Sequence, residues 1–189
     1  MKHLKKYKLF EAQTTIERII INNKLDEFIE LMDDLDQHNI NQTLIITANL
    51  DNVDMTKILL NDYKADPNHI DEHFFKNKYT ALLRSSDFDI MKILLESGAD
   101  VNHLALNGRN ILMYEASYDD SNTFHRISQL LDLFLEYGLN MSLTDNDGKD
   151  FIDYLDGDIQ VHIKHWLNEN YKTEYDIYMK NKATKKFKI

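Results

Sequence analysis

His69 and His73 stand four residues apart, so on a helix they would share one face, with Asp71 and Glu72 beside them as further oxygen ligands. That arrangement defines one reading, a metal-dependent enzyme built on these two histidines. The other is a pair of solvated loop histidines, since the segment does not read H-E-x-x-H. His162 and His165, three apart and next to Trp166, fit a capping surface better than a ligand pair. Asp145, Asp147 and Gly148 imitate part of a calcium loop, but that register puts Leu143 at the first ligand position and Tyr154 at the twelfth, where carboxylates belong. The chain has no cysteine to serve as thiol nucleophile or soft ligand, and no G-x-S-x-G elbow. Its five glycines form no phosphate-cradling loop. Asp33/Asp34 and Asp119/Asp120 are adjacent pairs whose side chains diverge on a helix, which suits solvated faces better than acid–base work. The expectation is a protein without catalysis, cofactor or bound metal.

Charge narrows the choice of partner. The 189 residues carry 22 Lys and Arg against 32 Asp and Glu, a net charge of −10. Lys2, Lys5, Lys6 and Lys8 open the chain and Lys180, Lys182, Lys185, Lys186 and Lys188 close it, with no acid before Glu11 or after Asp176. Residues 9 to 179 therefore hold 13 bases and all 32 acids, a charge of −19. Such a body repels phosphate and is not expected to bind nucleic acid. The lysine segments are expected to be solubilising tails.

The longest apolar runs, such as Ile19-Ile20-Ile21, fall far short of the ~18 residues of a membrane span. The basic start lacks the apolar core of a secretion signal. Cytoplasmic location and a monomeric state are the expectations. A hydrophobic fraction of 43% is ordinary for a folded chain of this size. The abundance of isoleucine, asparagine and lysine suggests an AT-rich bacterial or viral genome.

These residues need elements to hold them, and the chain repeats itself. Lys57-Ile58-Leu59-Leu60 recurs as Lys92-Ile93-Leu94-Leu95, with Asp132-Leu133-Phe134-Leu135 as a third version. After them come Ala65-Asp66-Pro67-Asn68, Gly98-Ala99-Asp100-Val101-Asn102 and Gly138-Leu139-Asn140. Ahead of them lie Thr43-Leu44, Thr80-Ala81-Leu82 and Asn110-Ile111-Leu112. The anchors Leu44, Leu82, Leu112 and Ile152 are 38, 30 and 40 residues apart, a unit near 33 with insertions and deletions. In each, a short helix bearing small residues (Ala48, Ser85 and Ser86, Ala116) is predicted to lie against a second helix with apolar residues at i, i+3, i+4. Gly98 and Gly138, just past their helices, suit a left-handed backbone, and Asn107-Gly108 and Asp147-Gly148 suit tight turns.

This pattern resembles the ankyrin repeat, whose signature runs from a turn through T-P-L-H-x-A-A to a second helix and a G-A-D-V-N turn. Lys92 to Asn102 carries the closest match, and Asp145 to Asp153 is similar to the turn that opens a unit. The resemblance implies an all-α ankyrin-repeat solenoid over residues 11–169, with units 11–40, 41–76, 77–106, 107–146 and 147–169. A basic segment, residues 1–10, precedes it. A C-terminal extension with a lysine-rich tail, residues 170–189, follows, and its Tyr171, Tyr175, Tyr178 and Met179 suggest one more helix against the last unit. One unit of this kind does not bury its apolar face alone, so neighbours must stack. The first and last are expected to be caps, with Asp33 and Asp34 facing water.

Three departures stand out. The third unit has 12 residues from Leu82 to Leu94 where the second has 15 from Leu44 to Leu59, which predicts a trimmed link around Asp87 and Phe88. The fourth has 22 from Leu112 to Phe134, which predicts a polar loop or extra helical turn within Tyr118 to Phe124. A long finger, residues 69 to 78, carries Phe74 and Phe75, which are either exposed for binding or tucked beneath it.

The resemblance implies binding of another protein through turn tips and the exposed side of the first helices. Carried over position by position, the candidates are Asn77 and Tyr79, Leu106 and Arg109, and Asn146 and Lys149. Arg84, Tyr114 and Tyr118 extend the strip; Tyr and Arg are the types that anchor interfaces. Tyr114 has the alternative of packing against its neighbouring unit. The acidic body implies a partner with a basic surface and an inhibitor, immunity-type or adaptor role. A second function class is an acidic nucleic-acid mimic, with Asp33, Asp34 and Asp36 imitating phosphates.

Overall fold

In a computed structural model the described residues are 14–70, 77–118 and 121–186, and all their regular structure is helical. The chain divides into two compact units, Met1–Asp100 and Val101–Ile189.

The N-terminal unit holds α1 (residues 14–21), α2 (Leu25–Asp33), α3 (Gln37–Asn49), α4 (Val53–Asn61), α5 (Ala81–Arg84) and α6 (Phe88–Glu96). Most starts are fixed by side chains that take up an orphan amide of the first turn. Asp36 accepts from Asn39 N, Asn52 from Met55 N, Thr80 from Leu83 N and Asp87 from Ile90 N. Residues Gln42 to Ala48 of α3 are buried without a break, because α3 packs on α4 and α5 at once. α4 and α6 bury one stripe each in the same register, Met55, Thr56, Leu59, Leu60 and Ile90, Met91, Leu94, Leu95. First helices thus meet first helices (α3 with α5) and second helices meet second (α4 with α6), two layers closing one core.

The C-terminal unit holds α7 (Ile111–Ala116), α8 (Thr123–Glu136), a 3₁₀ turn (Phe151–Tyr154), α9 (Gly157–Asn170) and α10 (Lys172–Lys186). The layering is the same: α7 packs on the 3₁₀ turn, α8 on α9, and α7 on α8. Asn110 caps α7 through Met113 N, and Asp150 caps the 3₁₀ turn with Asp153 reciprocating.

One side-chain device recurs at the turns that follow the second helices. Asn68 Nδ2 donates to Gly98 O at 2.8 Å while Asn68 Oδ1 accepts from Asp100 N at 2.8 Å. Asn102 does the same to Gly138 O at 3.0 Å and Asn140 N at 2.7 Å. A carboxamide presents an N–H donor and a C=O acceptor side by side, like a peptide group, so it satisfies the backbone of a turn that no helix or strand serves. Gly98 and Gly138 have φ of +92° and +78° there, with open space around a would-be Cβ, so conformation alone calls for glycine.

Several boundaries differ from the sequence expectation. α3 begins at Gln37, so residue 40 falls inside a helix. In the third unit the shortening is taken from the first helix, which is a single turn, and Asp87 caps α6 with Phe88 as its first residue; Ser85 is buried but Ser86 is exposed. In the fourth, α8 has 14 residues against nine in α4 and α6, so part of the insertion is extra helix. Lys180 and Lys182 belong to α10, and Lys182 reaches Asp150 at 2.8 Å and Asp153 at 3.2 Å. Lys182 is therefore a structural cation of the folded body, because its ammonium also donates to the hydroxyl of the buried Tyr178 at 3.1 Å. His73, Phe74, Phe75 and the acids Asp71 and Glu72 lie outside the described residues, as do Asp119 and Asp120.

Candidate binding surface

Three positions carry a cation and an aromatic ring in one register. Counted from the buried anchors Leu82, Leu112 and Ile152, the residues three before and two after are Tyr79 and Arg84, Arg109 and Tyr114, Lys149 and Tyr154. Each pair is in contact. Arg84 lies 5.5 Å from the Tyr79 ring centre, Arg109 5.9 Å from that of Tyr114, and Lys149 Nζ 5.7 Å from that of Tyr154. The spacing of five follows from the local fold, an extended residue leading into a helical turn, which brings the tip residue back over the turn's outer side. Tyr79 and Arg84 belong to the N-terminal unit; the other two pairs belong to the C-terminal unit.

In the C-terminal unit the pairs join. Arg109 lies over the Tyr154 ring at 4.3 Å, closer than to its own Tyr114. The turns that carry these residues are closed alike, Ala105 N to Arg109 O at 2.9 Å and Asp145 N to Lys149 O at 2.9 Å, and they touch through Asn146 N to Asn107 O at 3.1 Å. Asn146 Nδ2 donates to Leu106 O at 3.1 Å. Gly108 sits at this contact with φ +80°, and a Cβ there would stand 2.7 Å from Asn146 N.

Electrostatics fix the platform. Asp145 is 7% exposed and accepts from Asp147 N and Lys149 N, both at 2.9 Å, and from the Tyr154 hydroxyl. Burial works to raise its pKa, but the Tyr154 bond and the two amides outweigh it and hold the carboxyl below its usual value. Tyr154 responds in the opposite sense, its phenol pushed up by burial and by Asp145. Arg109 approaches Asp145 only through Nε at 3.8 Å, longer than a hydrogen bond. Tyr114 donates to Asn107 Oδ1 at 3.1 Å, which holds its ring at the edge of the cluster; here the tyrosine serves its own unit's turn.

Of the nine candidate residues, Arg109, Tyr114, Asn146, Lys149 and Leu106 lie on or beside the two joined turns, with Leu106 55% exposed. Tyr79 and Arg84 form their own pair and Asn77 is exposed nearby in sequence. Tyr118, 60% exposed, instead lies under Arg126 at 5.6 Å, which is ion-paired to the buried Glu115. Sequence reasoning missed Tyr154, Asp145 as a clamp, and the Glu115–Arg126 pair. The register signal was present for Tyr154, five residues after Lys149 as Tyr114 is after Arg109. Nothing in spacing marks Glu115 and Arg126, which an insertion separates.

His69 is half-buried with its ring 5.2 Å from that of His38, edge to face. Among the described residues no three His, Asp or Glu side chains are placed to share a metal ion. No helix among them is long and apolar enough to cross a membrane. No protein-family model matches the chain, and no curated protein matches it.

Proposed function

We propose that the chain is an ankyrin-type repeat protein that acts without catalysis, docking on a partner protein with a basic surface as an inhibitor, immunity-type protein or adaptor. The observation that carries this reading is the cation–tyrosine pair repeated at one register in three successive units. Periodic, half-buried Arg and Tyr side chains on turns give large contact area at small loss of rotamer freedom. The paired helices, the Asn clamps and the left-handed glycines after second helices support the ankyrin assignment.

The acidic body selects the partner's charge: association is steered by opposite charge and slows as salt rises. The nucleic-acid mimic is less favoured, because Asp33 accepts from Tyr63 and Asp36 caps α3, so these carboxylates serve the fold. The test is affinity capture from the source organism with wild type and a Tyr79→Ala/Arg109→Ala/Tyr114→Ala variant, followed by binding kinetics of the captured protein over a salt series. Loss of the partner in the variant and a falling association rate are expected; full retention would refute the surface.

A further inference from the structure

Arg109 and Lys149 come from different turns yet share one ring, that of Tyr154, at 4.3 and 5.7 Å. Both are cations in a body dominated by acids, and Asp145 already accepts from two amides and a phenol. The guanidinium makes no hydrogen bond to a carboxylate among the described residues, its nearest approach being the 3.8 Å contact of Nε. The Arg109 side chain is 28% exposed, and its guanidinium carbon stands 4.3 Å from the Tyr154 ring centre. Lys149 is exposed.

We infer that Arg109 and Lys149, set on Tyr154, form a receptor site for a single carboxylate side chain, an Asp or Glu on the docking segment of the partner protein. This rests on the partner-binding reading above and deepens it: the partner's surface is basic overall but presents one acid at this point. A guanidinium fork matches the two oxygens of a carboxylate, and a ring that pre-orients it removes ordering that binding would otherwise require. Lys149 adds a compact second charge from the neighbouring turn.

The site suits a monoanion. Asp145 lies 3.8 Å from Arg109 and Asp147 stands on the same turn, so a phosphate dianion would face two carboxylates as well as the two cations. Asp145 is ion-paired with Arg109 at 3.8 Å, so it offsets part of the guanidinium charge without a hydrogen bond. That partial offset limits how much negative charge the site accepts.

The experiment is an NMR titration of the full chain, following Arg109 Nε–H and the Lys149 amide. The probes are the blocked tripeptide acetyl-Gly-Glu-Gly-amide, its Gln isostere, and the phosphoserine counterpart, taken to about 10 mM because so small a probe reaches only millimolar affinity. Saturable shifts with the Glu peptide are expected, about tenfold weaker with Gln, lost in Arg109→Gln and weakened in Lys149→Gln. Both variants are checked by the spread of their amide resonances, and Lys149→Gln, being exposed, keeps the test open if Arg109→Gln unfolds. Equal shifts with the Gln peptide, no response at Arg109 Nε, or binding retained in both variants would overturn the proposal, as would a phosphoserine peptide bound about tenfold tighter than Glu. Because these probes need no partner protein, a null titration alongside normal partner loss in the triple variant removes the carboxylate site alone. A positive titration with no captured partner removes the wider reading alone.

Discussion

The hydroxyl of Tyr178 donates to Asp150 Oδ2 at 3.0 Å, with Tyr178 1% and Asp150 4% exposed. The other oxygen of Asp150 caps the 3₁₀ turn through Ile152 N, and Lys182 Nζ sits 2.8 Å from Oδ2. A single carboxylate therefore fastens α10 to the turn that opens the last helix pair. Burial alone would lower the Lys182 pKa, but its bonds to Asp150 and Tyr178 outweigh burial and raise it, so the ammonium stays charged well past neutrality.

Tyr178→Phe leaves Asp150 one donor short and is expected to destabilise by about 1–3 kcal/mol. Asp150→Ala also removes a cap and strands the phenol, and should cost more, about 2–4 kcal/mol. Urea unfolding measures both, and hydrogen exchange should show α10 amides losing protection first.

Arg126→Ala isolates Glu115, whose side chain is only 8% exposed. Burial raises the Glu115 pKa and Arg126 pulls it back, so removing the arginine raises it further. A carboxyl with a raised folded pKa stabilises below its unfolded pKa and loses that contribution as pH rises. The variant should therefore be destabilised by about 3–5 kcal/mol at pH 7 and markedly less in acid. Urea midpoints across pH 4 to 7 check the trend.

Tyr171 donates to Asp132, and this bond, with burial and the Asp132 charge adding to it, pushes the phenol to about 12. Tyr63, bonded to Asp33 at 2.6 Å, is likewise pushed up to about 12. Each contributes stability that is complete below the ordinary phenol pKa near 10 and is lost between there and about 12. Absorbance titration of the phenolates, with Tyr171→Phe and Tyr63→Phe assigning the late steps, tests this.

Glycine substitutions should separate conformation from contact. Gly98→Ala meets only the left-handed backbone and should cost about 1 kcal/mol. Gly108→Ala meets the backbone of Asn146 and Asp145 as well and should cost more, with the Asn107–Asn146 contact broken. Lys64, left-handed at φ +53° after α4, is the converse: Lys64→Gly should gain about 0.5–1 kcal/mol. Thermal unfolding of the three variants ranks them.

Tyr154→Phe keeps the ring under Arg109 but removes the bond to Asp145. It should lower stability by about 1–2 kcal/mol and leave the Glu-peptide shifts intact, whereas Tyr154→Ala should abolish them. The pair of titrations distinguishes the ring from the hydroxyl.

The sequence by itself determined the helical elements and their order, and it named five of the six residues in the three cation–tyrosine pairs, all but Tyr154. Local signals carry that information: apolar stripes at helical spacing, caps such as Thr80 and Asn110, and glycines where φ turns positive. The register of Arg109 with Tyr114 and Lys149 with Tyr154 is local too, five residues each, and could have been read in full. Tertiary structure alone decided which cation meets which ring across turns, so that Arg109 favours Tyr154, 45 positions away, over Tyr114. It also moved Lys182 from a solvated tail into the Asp150 cluster and tied Glu115 to Arg126 across an insertion. The physical reason is the same in each case: a long charged side chain settles where desolvation, partner charge and ring contact balance, and those terms depend on neighbours that only folding brings within a few ångströms.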